Sequence, residues 1–198
     1  MERFWGWGGD RLWGMFDVDT LVADCQAAVK EGEPHRAVRE IVERAMSTAD
    51  EVGDAFQPRQ GGLNILHNAP DLTVLHVVWA PGMVLFPHDH LMWAAIGIYA
   101  GQEDNTFYRR TPDQPTTVTE TGGKELRTGD VLLLGKDAIH GVTNPLDRIT
   151  GAIHVYGGDF VNQPRSQWGP GDLVERPFSM ETLRRQFDDA NEAAALGG

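Results

Sequence analysis

Between Gly61 and Phe160 the chain is cut into short runs rich in Val, Ile, Leu, Thr and aromatic residues, punctuated by Gly, Pro, Asp and Asn. Ten runs qualify as strands: 63–67, 72–79, 83–88, 93–100, 105–110, 116–120, 124–127, 130–134, 139–143 and 149–156. Many short strands at such regular spacing point to an antiparallel sandwich or barrel, not to a parallel α/β sheet.

The flanks differ in character. Residues 17–56 read as helical, with Leu21, Val22, Cys25 and Val29 recurring at helical spacing and Asp19 or Thr20 placed to cap the first turn. Gly32 and Pro34 interrupt, and a second amphipathic run carrying Val38, Ile41, Val42, Ala45 and Met46 ends before Gly53, so two or three helices are expected. After the strands, GGDFVNQPRSQWGPGD reads as loop and 180–195 as a terminal helix with a fraying AAALGG end. The expected organisation is a single domain over 1–198, with a helical extension (1–57), a β-barrel core (58–160) and a C-terminal loop and helix (161–198).

Composition narrows the partners. Hydrophobic residues make up 41% and charged ones 23%, ordinary for a soluble globular chain. A formal charge of -12 repels phosphate backbones and anionic lipid, which argues against nucleic acid and membrane surfaces as partners. No apolar run reaches spanning length, and the tryptophan-rich start lacks the apolar core of a secretory signal, so a cytoplasmic location is expected. A lone cysteine, Cys25, excludes an internal disulfide and a multi-cysteine zinc site. Small molecules, and a second copy of the chain, remain open as partners.

Two stretches carry chemistry. In PHDHLMWAAIG, His88 and His90 are i and i+2 on a strand and face the same side. Their Cα atoms sit roughly 6.5–7 Å apart, within reach of one ion about 2.1 Å from each nitrogen. Such a pair is either a metal pair or two solvated or internally bonded side chains. In GDVLLLGKDAIH, a second turn–strand–turn segment ends on His140. Two antiparallel neighbours built this way deliver three imidazoles to one point.

These spacings resemble the two motifs of the cupin superfamily, G-(x)5-H-x-H-(x)3,4-E-(x)6-G and G-(x)5-P-x-G-(x)2-H-(x)3-N. Gly82, His88, His90 and Gly101 match the first, and Gly129, His140 and Asn144 the second. Ala94 stands at the glutamate position, and Gly135 and Asp137 replace the proline and second glycine. The resemblance implies a mainly β fold, a double-stranded β-helix preceded by α-helices, with His88, His90 and His140 holding a divalent metal. Losing the glutamate leaves three neutral ligands and more open positions, which favours an anionic substrate donor and room for O2. The competing reading of the same loss is a decayed, metal-free barrel.

Within that superfamily, HDHLMWAAIGIYAG and IHGVTNPLDRITGAIHVYGG are similar to the thiol dioxygenase group, which includes cysteine and mercaptopropionate dioxygenases. The resemblance covers residues 60–160 and implies Fe(II) acting with O2 on a small, thiol-type substrate. It gives Tyr156 the task of orienting substrate or oxygen and His154 that of holding the phenol, although Ala152 replaces the group's serine. The group's carboxylate-anchoring position falls near Leu63, leaving Arg59, Asn64 and Trp93 as candidate substrate contacts. His67 and His76 read as interior or surface histidines and His35 as solvated. Zn, Ni or Mn supporting hydrolysis or isomerisation, and a non-catalytic metal-dependent binding protein, are the alternatives. Trp5, Trp7 and Trp13 are expected to pack into the core, with the barrel mouth or a dimer contact as the alternatives.

Overall fold

A computed structural model describes residues 16–169 and 171–197. The expectation for Trp5, Trp7 and Trp13 falls outside the described residues. Three helices come first, α1 (Val18–Ala28), α2 (Pro34–Met46) and α3 (Ala49–Phe56). Asp17, rather than Asp19 or Thr20, caps α1: its carboxylate accepts the Thr20 N–H at 2.8 Å. Pro34 opens α2, where its fixed φ and missing N–H cost nothing. The helical run breaks at Ser47 and Thr48, and α3 continues through Gly53. Burial of Val52 and packing of Phe56 outweigh the roughly 1 kcal/mol cost of a helical glycine.

The strands are β1 (Gly62–Asn68), β2 (Thr73–Trp79), β3 (Val84–Asp89), β4 (Ala94–Ala100), β5 (Gln102–Thr111), β6 (Gln114–Arg127), β7 (Val131–Leu134), β8 (Ile139–Thr143), β9 (Thr150–Tyr156), β10 (Ser166–Trp168) and β11 (Glu175–Pro177). Helix α4 (Met180–Gly197) follows. One sheet runs β1-β2-β9-β4-β7 and the other β11-β10-β3-β8-β5-β6. The antiparallel pairs β2/β9, β3/β8, β4/β7 and β5/β6 nest inside one another. That is one long hairpin wound into a helix, the double-stranded β-helix of cupin jelly rolls.

Alternation along the strands explains the layers. Leu75, Val77 and Trp79 of β2, with Ala152 and Tyr156 of β9, point between the sheets and join Leu85, Ile96, Leu132 and Val142 in the barrel core. Their neighbours Val74, Ile153 and Val155 point the other way, onto Leu21, Val38, Val42 and Met46 of the helices. This is why β2 and β9 are buried on every residue. Helix α2 lies so close to β4 that a Cβ on Gly97 would sit 2.5 Å from Val42 Cγ1.

Two differences from the sequence expectation matter. The runs 116–120 and 124–127 are one strand, because Gly122 and Gly123 pair with Phe107 and Thr106 through a register shift instead of turning. Gly122 takes φ 147° there, which side chains avoid. The supposed C-terminal loop also contains β10 and β11, which extend the second sheet beside β3.

Candidate metal centre

His88 and His140 are direct cross-strand partners on β3 and β8, and His90 follows one residue after β3. Asp89, between the two histidines, points the other way and accepts the Ser166 N–H at 2.8 Å, tying β10 to β3. All three imidazoles are buried, and their ligand atoms lie within 4.8 Å of one another. His90 Nε2 is 3.0 Å from His88 Nε2 and 3.4 Å from His140 Nε2.

Neighbours set the tautomers. His88 Nδ1–H donates to the Phe86 carbonyl at 3.1 Å, and His140 Nδ1–H donates to Asn105 Oδ1 at 2.6 Å. Both therefore turn a bare Nε2 inward. Burial pulls His88 down to about 4, and burial plus the neighbouring imidazoles carry His90 and His140 well below the usual histidine range. His90 Nδ1 has no partner among the described residues, so a proton carried there turns a third bare Nε2 toward the other two, a set that suits a shared cation. Nitrogens about 2.1 Å from one ion lie roughly 3.0–3.4 Å apart for ligand angles of about 90–109°. The His90–His88 and His90–His140 separations both fall in that span. The residues present thus fit a divalent metal held by His88, His90 and His140. Ala94, at the missing-carboxylate position, is buried on β4 opposite Tyr156.

A second polar group sits against this cluster. Tyr156 Oη is 3.0 Å from His154 Nδ1, and its ring packs edge-on to His90, with centroids 4.9 Å apart. His154 Nε2 is 3.2 Å from Oε2 of Glu103, a fully buried carboxylate on β5. Glu103 also accepts from Trp79 Nε1 at 2.6 Å and from Asn105 Nδ2 at 3.0 Å. Burial pushes the Glu103 carboxyl up, but the neighbouring His154 and the hydrogen bonds from His154, Asn105 and Trp79 outweigh it and hold it below its usual range. Burial raises the Tyr156 phenol, so it stays protonated at neutral pH.

Arg165, just ahead of β10, is the other residue that sequence reasoning passed over. It is 6% exposed, lies over the rings of Phe160 and Phe178 at 4.2 and 3.8 Å, and donates through Nη1 to the Phe160 carbonyl at 2.5 Å. Its Nε and Nη2 find no partner among the described residues. Burial lowers it to about 10, which still leaves it charged at pH 7. The cavity beside the histidines is lined by Leu63, Trp79, His88, His140, His154, Tyr156, Phe160, Phe178 and Leu183, among others. Its free volume is about 20 Å³, room for one water-sized group.

The remaining candidates stand apart from this cavity. Leu63 lines it, so Asn64, the next residue on β1, faces the opposite side and lies 3.4 Å from His76 Nδ1. Arg59 is exposed in the connection from α3 to β1. Trp93 packs in the outer layer with the helices, not on the cavity wall. His76 is buried between Phe56 and Tyr99, bonded to the Tyr99 hydroxyl at 2.8 Å, and His67 lies near Gln26. Cys25 is also in the helical layer, across the sheet from Tyr156. No described helix is long and apolar enough to cross a membrane.

No family model matches the chain. Among solved structures it is similar to a Bacillus halodurans protein at 14% identity, covering 54% of this chain and 77% of that one, with a TM-score of 0.45. A Klebsiella pneumoniae protein with a double-stranded β-helix domain is 14% identical over 56% of this chain and 82% of its own, TM-score 0.44. An RmlC-like cupin family protein of Methanocaldococcus jannaschii is 11% identical over 52% and 85%, TM-score 0.42. Likeness at this level is silent on substrate.

Proposed function

We propose that the protein is a non-haem iron-dependent dioxygenase, thiol dioxygenase-like, that uses O2 to oxidise a small anionic substrate, best matched by a thiol bearing a carboxylate. The observation that carries this reading is a cavity lined by His88, His140 and Tyr156, beside a three-imidazole cluster that includes no carboxylate among the described residues. Bound at His88, His90 and His140, Fe(II) would supply the one-electron chemistry that lets O2 react with a closed-shell thiolate. Three neutral imidazoles leave the ion's double charge unbalanced, so the site favours a thiolate over a neutral donor. Tyr156 donates its O–H to His154 Nδ1 and keeps its oxygen lone pairs for the cavity, where they orient a substrate amine or hydroxyl.

Arg165 supports the anionic part of the reading. Nε–H and Nη2–H form one edge of the guanidinium, the edge that meets a carboxylate through two parallel hydrogen bonds. A carboxylate reaching it must part Phe160 and Phe178, which the small free volume requires of any substrate beyond a few atoms. Metal analysis of protein purified without chelators, followed by oxygen-electrode assays on mercapto acids and their carboxylate-free analogues, tests both parts. Iron with thiol-dependent uptake, and KM raised at least tenfold in Arg165→Lys for the acids alone, is the expected result. Zinc with no uptake across the panel would sink the oxygenase and leave the hydrolytic and binding-protein readings standing.

A further inference from the structure

Glu103 is the only carboxylate among the described residues that is fully buried in the barrel, and it touches neither the cavity nor the three ligand histidines. Its two oxygens divide their partners unequally: Trp79 Nε1 and His154 Nε2 meet Oε2, while Asn105 Nδ2 meets Oε1. All three donate to it, so a proton on Glu103 would have no acceptor. On one side, the Nε2–H donated to Glu103 leaves His154 Nδ1 bare, and Tyr156 must donate to it. On the other, an Asn105 amide donating to Glu103 can offer only its Oδ1 to His140, which must carry its proton on Nδ1 and leave Nε2 bare. Orientation thus passes outward from one carboxylate in two directions.

We propose that Glu103 is a positioning residue that fixes the tautomers of both His140 and His154, readying one for metal and the other for the tyrosine proton. The His140 branch rests on the metal reading of the three-histidine cluster; the tautomers themselves do not. The Glu103 charge lies on β5, two hydrogen bonds away from His140.

The amide isostere is an informative substitution. In Glu103→Gln, one oxygen becomes an NH2 group. Trp79 Nε1 can only donate, so the remaining oxygen must stay on its side, and the new NH2 faces Asn105. Asn105 then has to turn over, presenting its own NH2 to His140 and forcing the His140 proton onto Nε2, where metal should bind. Exchanging the two groups repairs this. In Glu103→Gln with Asn105→Asp, the glutamine NH2 donates to one aspartate oxygen while the other accepts from His140 Nδ1, and total charge is unchanged.

The test is two-bond 1H–15N correlation of histidine rings in the chelator-stripped protein, with peaks assigned from His140→Ala and His154→Ala, alongside Co(II) titration. Wild type should show His140 protonated on Nδ1 and His154 on Nε2. Glu103→Gln should move the His140 proton and weaken Co(II) by about 10- to 100-fold, the usual cost of losing a ligand's supporting partner. The double exchange should restore both. A wild-type spectrum with either tautomer reversed, or with His154 doubly protonated, overturns the proposal even if the variants fail to fold. So does a folded Glu103→Gln with wild-type tautomers and Co(II) affinity. Correct tautomers in a protein that consumes no O2 would count against the oxygenase alone.

Discussion

The three ligand-type histidines were legible because their chemistry is written in spacing: i and i+2 on one strand, and a third at the matching end of its antiparallel partner. Glu103 was not. It stands in GQEDNTFYRR, a polar run that reads as solvated, and only pairing with β6 and β8 turns Glu103 and Asn105 toward the barrel. Arg165 hid for a similar reason, since PRSQW carries no period until β10 lies against β3. Tyr156→Phe removes the group bonded to His154 and leaves the three ligands intact. Metal content should stay at wild type while kcat falls by about 10²-fold or more, the usual scale for a positioned proton-handling group. A kcat unchanged in single-turnover oxygen uptake would return Tyr156 to packing.

At the scale of elements, strand existence was readable and strand identity was not. Gly122 and Gly123 look like a turn because glycine is the commonest turn former, but a bulge uses the same freedom. The helices were placed by periodicity, and what periodicity omits is how near they lie to the sheet. Gly97 records that distance. A side chain there would press on Val42 and Met46 of α2, which are buried and have no space to retreat. Gly97→Val is therefore expected to destabilise by about 1–3 kcal/mol through overpacking. Because Gly97 faces the helices and not the barrel, Co(II) affinity measured under native conditions should hold. Loss of metal without loss of stability in urea would mean that α2 and the site are coupled more tightly than this layering implies.

At the scale of the whole molecule, the buried histidines make stability depend on pH. His76 lies in the helical layer and His88 in the barrel, and burial lowers each to about 4. Unfolded, each titrates near 6.5, so between about 4 and 6.5 the unfolded chain binds more protons than the folded one. Stability should then be level with respect to these groups above pH 6.5 and fall as the pH drops toward 4. At pH 5 each histidine contributes a loss of about 2 kcal/mol at about 1.4 kcal/mol per unit. The two together lower the urea midpoint by on the order of 2 M at ordinary slopes. His90 and His140, lowered further, steepen the same fall. Metal should sharpen it again: Co(II) at 100 times its Kd adds about 2.7 kcal/mol at pH 7, a gain that protons remove by competing for the same nitrogens. Urea unfolding of the metal-free protein, the Co(II)-loaded protein and His140→Ala at pH 7 and pH 5 separates these contributions. The loaded wild type should lose the most between the two pH values, and His140→Ala should gain nothing from Co(II). A metal-free midpoint that does not move would mean that these imidazoles reach water in solution, and the tight packing of both layers around them would have to be given up.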